Sequence, residues 1–192
     1  MKLFLIPLFL ICGCIFANAE IIEIANYKDG VGMEKSVKLF LKNNKASSII
    51  ISCETDNGSK GYVIQPINYV FALESYLNEI KDKYIEWTQT AISNEIEEYE
   101  KKFPASGYQY GFMWYNPVER RGSSEFNAVW KYSKDSNMVI VSAKVIDSLG
   151  SYETAIFNLQ FSNPTDIEMM IDAISESNIK SHIPTSIDSL FN

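Results

Sequence analysis

The stretch NYVFALESYLNEIKDKYIEWTQTAISNEIEEYEKK, residues 68 to 102, decides how the rest of the chain is read. Within it Tyr69, Leu73, Tyr76, Leu77, Ile80, Tyr84, Trp87, Ala91, Ile92, Ile96 and Tyr99 recur at intervals of three and four. That spacing lays one apolar stripe along an amphipathic helix. Lys81, Asp82, Lys83, Glu95, Glu97, Glu98 and Glu100 occupy much of the remaining surface. At about 1.5 Å per residue such a helix would be on the order of 50 Å long, more than a small domain's diameter. The stretch therefore predicts a break or a projecting end, with Thr88-Gln89-Thr90 and Ser93-Asn94 as the weak points. Pro104, Ser106 and Gly107 stop it.

On either side of this helix the period changes to two, the mark of half-buried strands. Upstream, Ile21 to Tyr27 reads as a strand or an N-terminal arm, and Lys28 to Gly32 as a loop. Val37, Leu39 and Leu41 alternate with weaker positions, Asn43-Asn44-Lys45 is turn chemistry, and Ser48 to Cys53 is the partner strand. Asp56-Asn57-Gly58-Ser59 is a hairpin signal, and Gly61 to Gln65 a third strand ending at Pro66. Downstream, Tyr108, Tyr110, Phe112 and Trp114 alternate, as do Phe126, Ala128 and Trp130, and then Val139, Val141, Ala143 and Val145. Thr154 to Phe161 is the last strand of this four-stranded meander, and residues 116–124 read as a loop. Asn163-Pro164 opens a shorter helix, with Asn163 as N-cap and Ile167, Met170, Ile171 and Ile174 as its apolar face. The tail from Asn178 holds a short final helix near Thr185 to Phe191.

The expected fold is therefore α+β: an antiparallel meander sheet covered by one long central helix and a shorter C-terminal one. Strands followed by a helix occur in both halves. Tyr62 to Pro66 precedes the first helix as Phe157 to Phe161 precedes the second, so a duplicated sheet–helix unit is an expectation to test.

The N-terminus carries an address. Lys2 is a positive n-region, Leu3 to Phe16 an apolar run, and Ala17-Asn18-Ala19 the small-x-small pattern of a peptidase site. The run is shorter than the roughly 20 residues a bilayer-spanning helix needs, and no later segment is long and apolar enough for a transmembrane span. Residues 1–19 are read as a signal peptide and 20–192 as a single α+β domain, exported to the periplasm, the cell surface or the medium. The competing reading makes Ile11-Cys12-Gly13-Cys14 a degenerate lipobox, with a lipid anchor at Cys14.

Charge and composition narrow the function classes. The chain has 17 Lys and Arg against 24 Asp and Glu, a net charge of −7. Loss of Lys2 makes it one unit more negative. Such a surface repels phosphate backbones and disfavours nucleic acid as a partner. Once the signal leaves, Cys53 stands alone and reads as a small buried residue, so no disulfide framework is expected. His182 is the single histidine, in a polar tail, and supplies no catalytic triad or zinc set. Gly30-Val31-Gly32 lacks the rest of a dinucleotide fingerprint, and no cofactor is implied.

Three classes of function remain, the third being an assembly subunit whose long helix projects to meet a partner. The first is a non-catalytic binding or interaction protein for a protein, peptide or glycan. Its candidate contact residues are Trp114 and Tyr115, at the end of an aromatic strand, with Arg120 and Arg121 in the following segment. The aromatic face of that strand is expected to pack under the long helix. The alternative is a secreted hydrolase using a pair of carboxylates, for which Glu95, Glu97, Glu98 and Glu100 are the nearest cluster.

Overall fold

The computed structural model describes residues 19–29, 32–55, 60–105, 108–115, 118–146 and 153–183. For residues 54, 55, 60, 108–115, 118–125, 143–146 and 153–157 the description is of the backbone alone. In chain order come β1 (Ala19–Lys28), β2 (Glu34–Lys42), β3 (Lys45–Thr55) and β4 (Lys60–Pro66). A 3-10 turn (Ile67–Tyr69) leads into α1 (Val70–Ser93). Then follow β5 (Glu98–Lys102), β6 (Tyr108–Tyr115), β7 (Val118–Ser133), β8 (Asn137–Ile146), β9 (Glu153–Phe161), α2 (Pro164–Ile174) and α3 (Glu176–Ser181).

The strands make two antiparallel four-stranded meanders, β1–β4 and β6–β9, joined edge to edge by β4 and β6. Each meander is followed by a helix, so the expected repetition of strands then helix is present with the same strand order in both halves. The halves differ in that α1 has 24 residues and α2 has 11, and in that β5 has no counterpart among the described residues of the first half. The second meander curls back. Pairing of β2 with β3 ends at Val37↔Ile51, and beyond that point Glu54 and Thr55 pair with Asn158 and Phe157 of β9.

Alternation decides which side of the sheet is apolar. Val37, Leu39 and Leu41 of β2, Ile49, Ile51 and Cys53 of β3, and Phe126, Ala128 and Trp130 of β7 are all buried. They form one cluster with Leu73, Leu77, Ile80 and Tyr84 of α1 and Ile167, Met170, Ile171 and Ile174 of α2. Cys53 is a buried free thiol, as expected. The Asn43-Asn44 turn takes left-handed φ values of 53° and 59°, which asparagine tolerates better than most residues. Asn163 caps α2 as expected, its Oδ1 accepting from the Asp166 N–H at 2.9 Å.

Three sequence expectations change. The long helix breaks where its polar positions suggested. Asn94 N–H donates to the Thr90 carbonyl, Ile96 N–H to the Ala91 carbonyl, and Glu95 adopts a left-handed φ of 53°. These bonds satisfy the terminal carbonyls and reverse the chain. Residues 98–102 are consequently strand, not helix: β5 pairs with the far end of β7, Tyr99 opposite Tyr132 and Lys101 opposite Trp130. Residues 118–124 are likewise strand rather than loop. Their Glu, Arg, Gly and Ser residues have weak strand propensity, but the ladder to β6 runs from Tyr115↔Val118 to Tyr108↔Glu125 and overrides it. The polar tail begins later than expected, because Glu176–Ser181 forms α3, with Ser175 Oγ accepting from Asn178 N–H at 3.3 Å. The helix expected near Thr185 to Phe191 and the turn at Asp56–Ser59 lie outside the described residues.

Under α1 runs a buried polar seam. The Tyr84 hydroxyl lies 2.9 Å from the carbonyls of both Asn137 and Ser162, tying the helix to the start of β8 and the end of β9. Asn137 Oδ1 accepts from the Trp130 indole N–H at 2.8 Å, and its Nδ2 donates to Thr88 Oγ1 at 2.9 Å. Burial, and secondarily the negative charge of Asp166, push the Tyr84 phenol from its ordinary 10.0 to about 12. The folded state thus holds this proton more tightly than the unfolded state does. The associated stability is complete below about pH 10 and is lost as pH rises through the folded value, since the unfolded chain ionises first. Urea unfolding of wild type and Tyr84→Phe across pH 9–12 tests this. The wild type should lose stability more steeply, and equal slopes would show that this phenol does not couple to folding.

Candidate functional site

Among the described residues β1 is the terminal strand of the sheet, paired on one edge only, with β2. Its other edge opens on a groove of about 650 Å³. Ile24, Ala25, Asn26 and Tyr27 line one side, Met169, Asp172 and Ala173 of α2 the other, and Ser175, Ser177 and Asn178 close the α3 end. Alternate side chains of a strand point to opposite faces. Four consecutive lining residues therefore mean that the groove runs along the strand's edge and meets its backbone.

The hydrogen-bond parity of β1 is readable from its turn. Asp29 N–H donates to the Met33 carbonyl at 2.9 Å. Stepping by two along the register, Tyr27↔Lys35 and Ala25↔Val37 turn their backbone groups toward β2. Asn26 and Lys28, between them, turn theirs away. Ile24 is the extra residue of a bulge, between Glu23↔Lys38 and Ala25↔Val37. Its carbonyl accepts from Asn178 Nδ2 at 3.4 Å, and the same amide donates to the Ala173 carbonyl at 2.9 Å. Asn178 thus pins α3 to β1 at one end of the groove. Its own carbonyl lies 2.8 Å from His182 Nδ1, which places the single histidine, half-buried, at the end of α3.

Tyr27 also lines the groove. Its hydroxyl oxygen is buried without a hydrogen-bond partner among the described residues. Burial, then the charges of Asp166 and Asp29, hold its phenol far above the usual range. Asp29 and Lys35 sit just beyond it as a buried ion pair, Oδ2 to Nζ 3.4 Å. Asp166 is buried beneath the start of α2, its Oδ2 accepting from Ser162 N–H at 3.2 Å and Asn163 Nδ2 at 3.1 Å. A second, smaller depression of about 210 Å³ lies between Lys35, Cys53 and Tyr62.

The residues singled out from sequence lie elsewhere. Trp114 and Tyr115 end β6, and Arg120 and Arg121 belong to β7 in the same hairpin. The register pairs Phe112 with Arg121, Met113 with Arg120 and Trp114 with Glu119. Parity then gives Trp114 and Arg121 positions of one face, and Tyr115 and Arg120 positions of the other. The expected cover of that aromatic strand by the long helix falls on side chains outside the described set. In the acidic cluster, Glu97 pairs with Lys134 at 2.9 Å and Glu100 with Lys131 at 3.5 Å, all at exposed positions. Among the described residues no His, Cys, Asp and Glu are grouped in threes to hold a metal ion, and no helix is long and apolar enough to cross a membrane.

Sequence reading missed the groove. It allowed β1 to be a strand or an arm, and nothing local marks a strand as terminal. That property depends on the order of the whole sheet. Comparison of the chain with family models, curated proteins and solved structures returned no match.

Proposed function

We propose that this chain is exported and acts as a non-catalytic binding or interaction protein of the periplasm, cell surface or medium, with the β1 groove as its site. The observation that carries this reading is the terminal strand whose four consecutive residues open onto one groove walled by α2 and α3. Such a cleft, part apolar and part polar, suits a ligand held by a few convergent groups. Export rests on the signal pattern of residues 1–19.

Two measurements test the reading. Protein recovered from the native host should begin at Glu20 and lie outside the cytoplasm; a chain still starting at Met1 inside the cell overturns export. Panels of immobilised peptides and glycans should yield a ligand for the purified domain. Ser177→Trp, an exposed substitution on the groove wall, should weaken that ligand about tenfold or more. A ligand that binds this variant unchanged moves the site away from the groove, and domain that binds neither panel overturns the binding role.

A further inference from the structure

We infer that the β1 edge binds an extended peptide by adding it to the sheet as one more strand, and that the preferred peptide alternates apolar with basic side chains. The inference rests on the binding role proposed above and names its ligand class. Asn26 and Lys28 turn their N–H and C=O groups away from β2, and the groove runs along Asn26. Backbone groups of this kind are satisfied by the backbone of a strand laid alongside, about 4.8 Å away. The bulge at Ile24 and the Asn178 bond close the edge at one end, so the added strand has a fixed limit.

Charge and the groove wall choose the occupant. A second copy of the chain would bring a net charge of −7 against the same charge, whereas a basic peptide is attracted. On the inner side of that strand, alternate side chains meet Met169 and Ala173, which calls for apolar residues. The side chains between the apolar positions point away from that wall toward solvent, where lysine or arginine can stand. The whole chain carries a net charge of −7, which favours a basic peptide over an acidic one and a faster encounter with it.

The probe is a short fluorescein-labelled peptide of alternating valine and lysine, read by fluorescence anisotropy. Three comparisons are made: the same peptide with every second amide N-methylated, a glutamate-for-lysine peptide, and the protein variants Asn26→Pro and Asn26→Ala. Proline at Asn26 deletes the outward N–H and leaves the β2 ladder its own bonds, as edge positions tolerate. Strand addition requires that N-methylation and Asn26→Pro each weaken binding about tenfold or more, that the glutamate peptide bind more weakly, and that Asn26→Ala bind like wild type. Thermal unfolding confirms that the proline variant is folded, and the N-methylated peptide makes the same test on unaltered protein. An N-methylated peptide that binds equally well overturns strand addition while leaving a binding groove. So does a glycan ligand, sensitive to Ser177→Trp, in place of any peptide. A doubled mass by light scattering that Asn26→Pro reduces to one chain assigns the edge to a second copy and also overturns the inference. No binding of any probe removes both this inference and the role beneath it.

Discussion

Trp130→Ala is expected to destabilise the domain by about 3–5 kcal/mol, a large share of the roughly 5–15 kcal/mol that holds a typical domain together. Trp130 is 2% exposed and sits where three elements meet. Its ring lies 5.7 Å from Trp87 of α1, 6.3 Å from Tyr99 of β5 and 5.6 Å from Tyr132 of its own strand, centroid to centroid. Trp87 in turn contacts Phe103 at 4.6 Å and carries Lys101 Nζ over its face at 4.1 Å. Truncation leaves a cavity that rings on separate elements cannot all collapse to fill, and it strands Asn137 Oδ1 without the indole donor. Urea unfolding measures the loss, and the melting temperature should fall by roughly 10 °C. Trp130→Phe keeps most of the packing and should cost about 1–3 kcal/mol, chiefly the unsatisfied amide. A loss below about 1 kcal/mol for alanine would mean that the α1–β5–β7 corner does not form as described.

The same corner shows what the sequence leaves ambiguous. Ile96 and Tyr99 continue the helical stripe of α1 in perfect phase, yet they lie beyond its end. Periodicity records which residues seek an apolar surface, not whether the backbone between them is helical or extended. Tyr99 lies instead on a strand, half exposed with its ring against Trp130, because the reversal at Asn94-Glu95 redirects the chain. Elsewhere local and global preferences agree. Val37, Leu39 and Leu41, and the Asn163-Pro164 start of α2, are legible because one period or one cap dictates each. The β7 extension through Arg120 and Arg121 is illegible for the opposite reason, since only its pairing with β6 makes that polar run a strand.

Site legibility divides along the same line. Trp114, Tyr115, Arg120 and Arg121 stood out by residue type, and residue type does not disclose that alternate positions fall on opposite faces of a hairpin. The groove is made of unremarkable residues, among them Ala25, Asn26, Ala173 and Ser177. Its chemistry resides in backbone groups and in an edge position, and both emerge only when the order of the strands is known.

Lys35→Met should be comparably severe, costing about 3–5 kcal/mol, because it removes one half of a buried ion pair. The side chains of Lys35 and Asp29 are 5% and 1% exposed. Methionine fits the space of the lysine stem, so the loss comes from a carboxylate left in apolar surroundings rather than from packing. Asp29 is also the keystone of the β1–β2 turn. Its Oδ1 accepts from the Met33 N–H at 2.8 Å, its carbonyl from Gly32 N–H at 2.8 Å, and Gly32 takes a φ of +83° that side-chain-bearing residues rarely adopt. Displacing the carboxylate should therefore loosen the turn and, through Tyr27 and Lys28, the edge that the groove exposes. Amide exchange would report this as faster exchange across β1 than across β3 at equal denaturant. The double variant Asp29→Asn with Lys35→Met separates charge from shape. Asparagine keeps an acceptor for the Met33 N–H and carries no charge, so the double variant should regain most of the lost stability. If it is instead less stable than Lys35→Met alone, the pair acts through its hydrogen bonds and not through the penalty of a buried, unmatched charge.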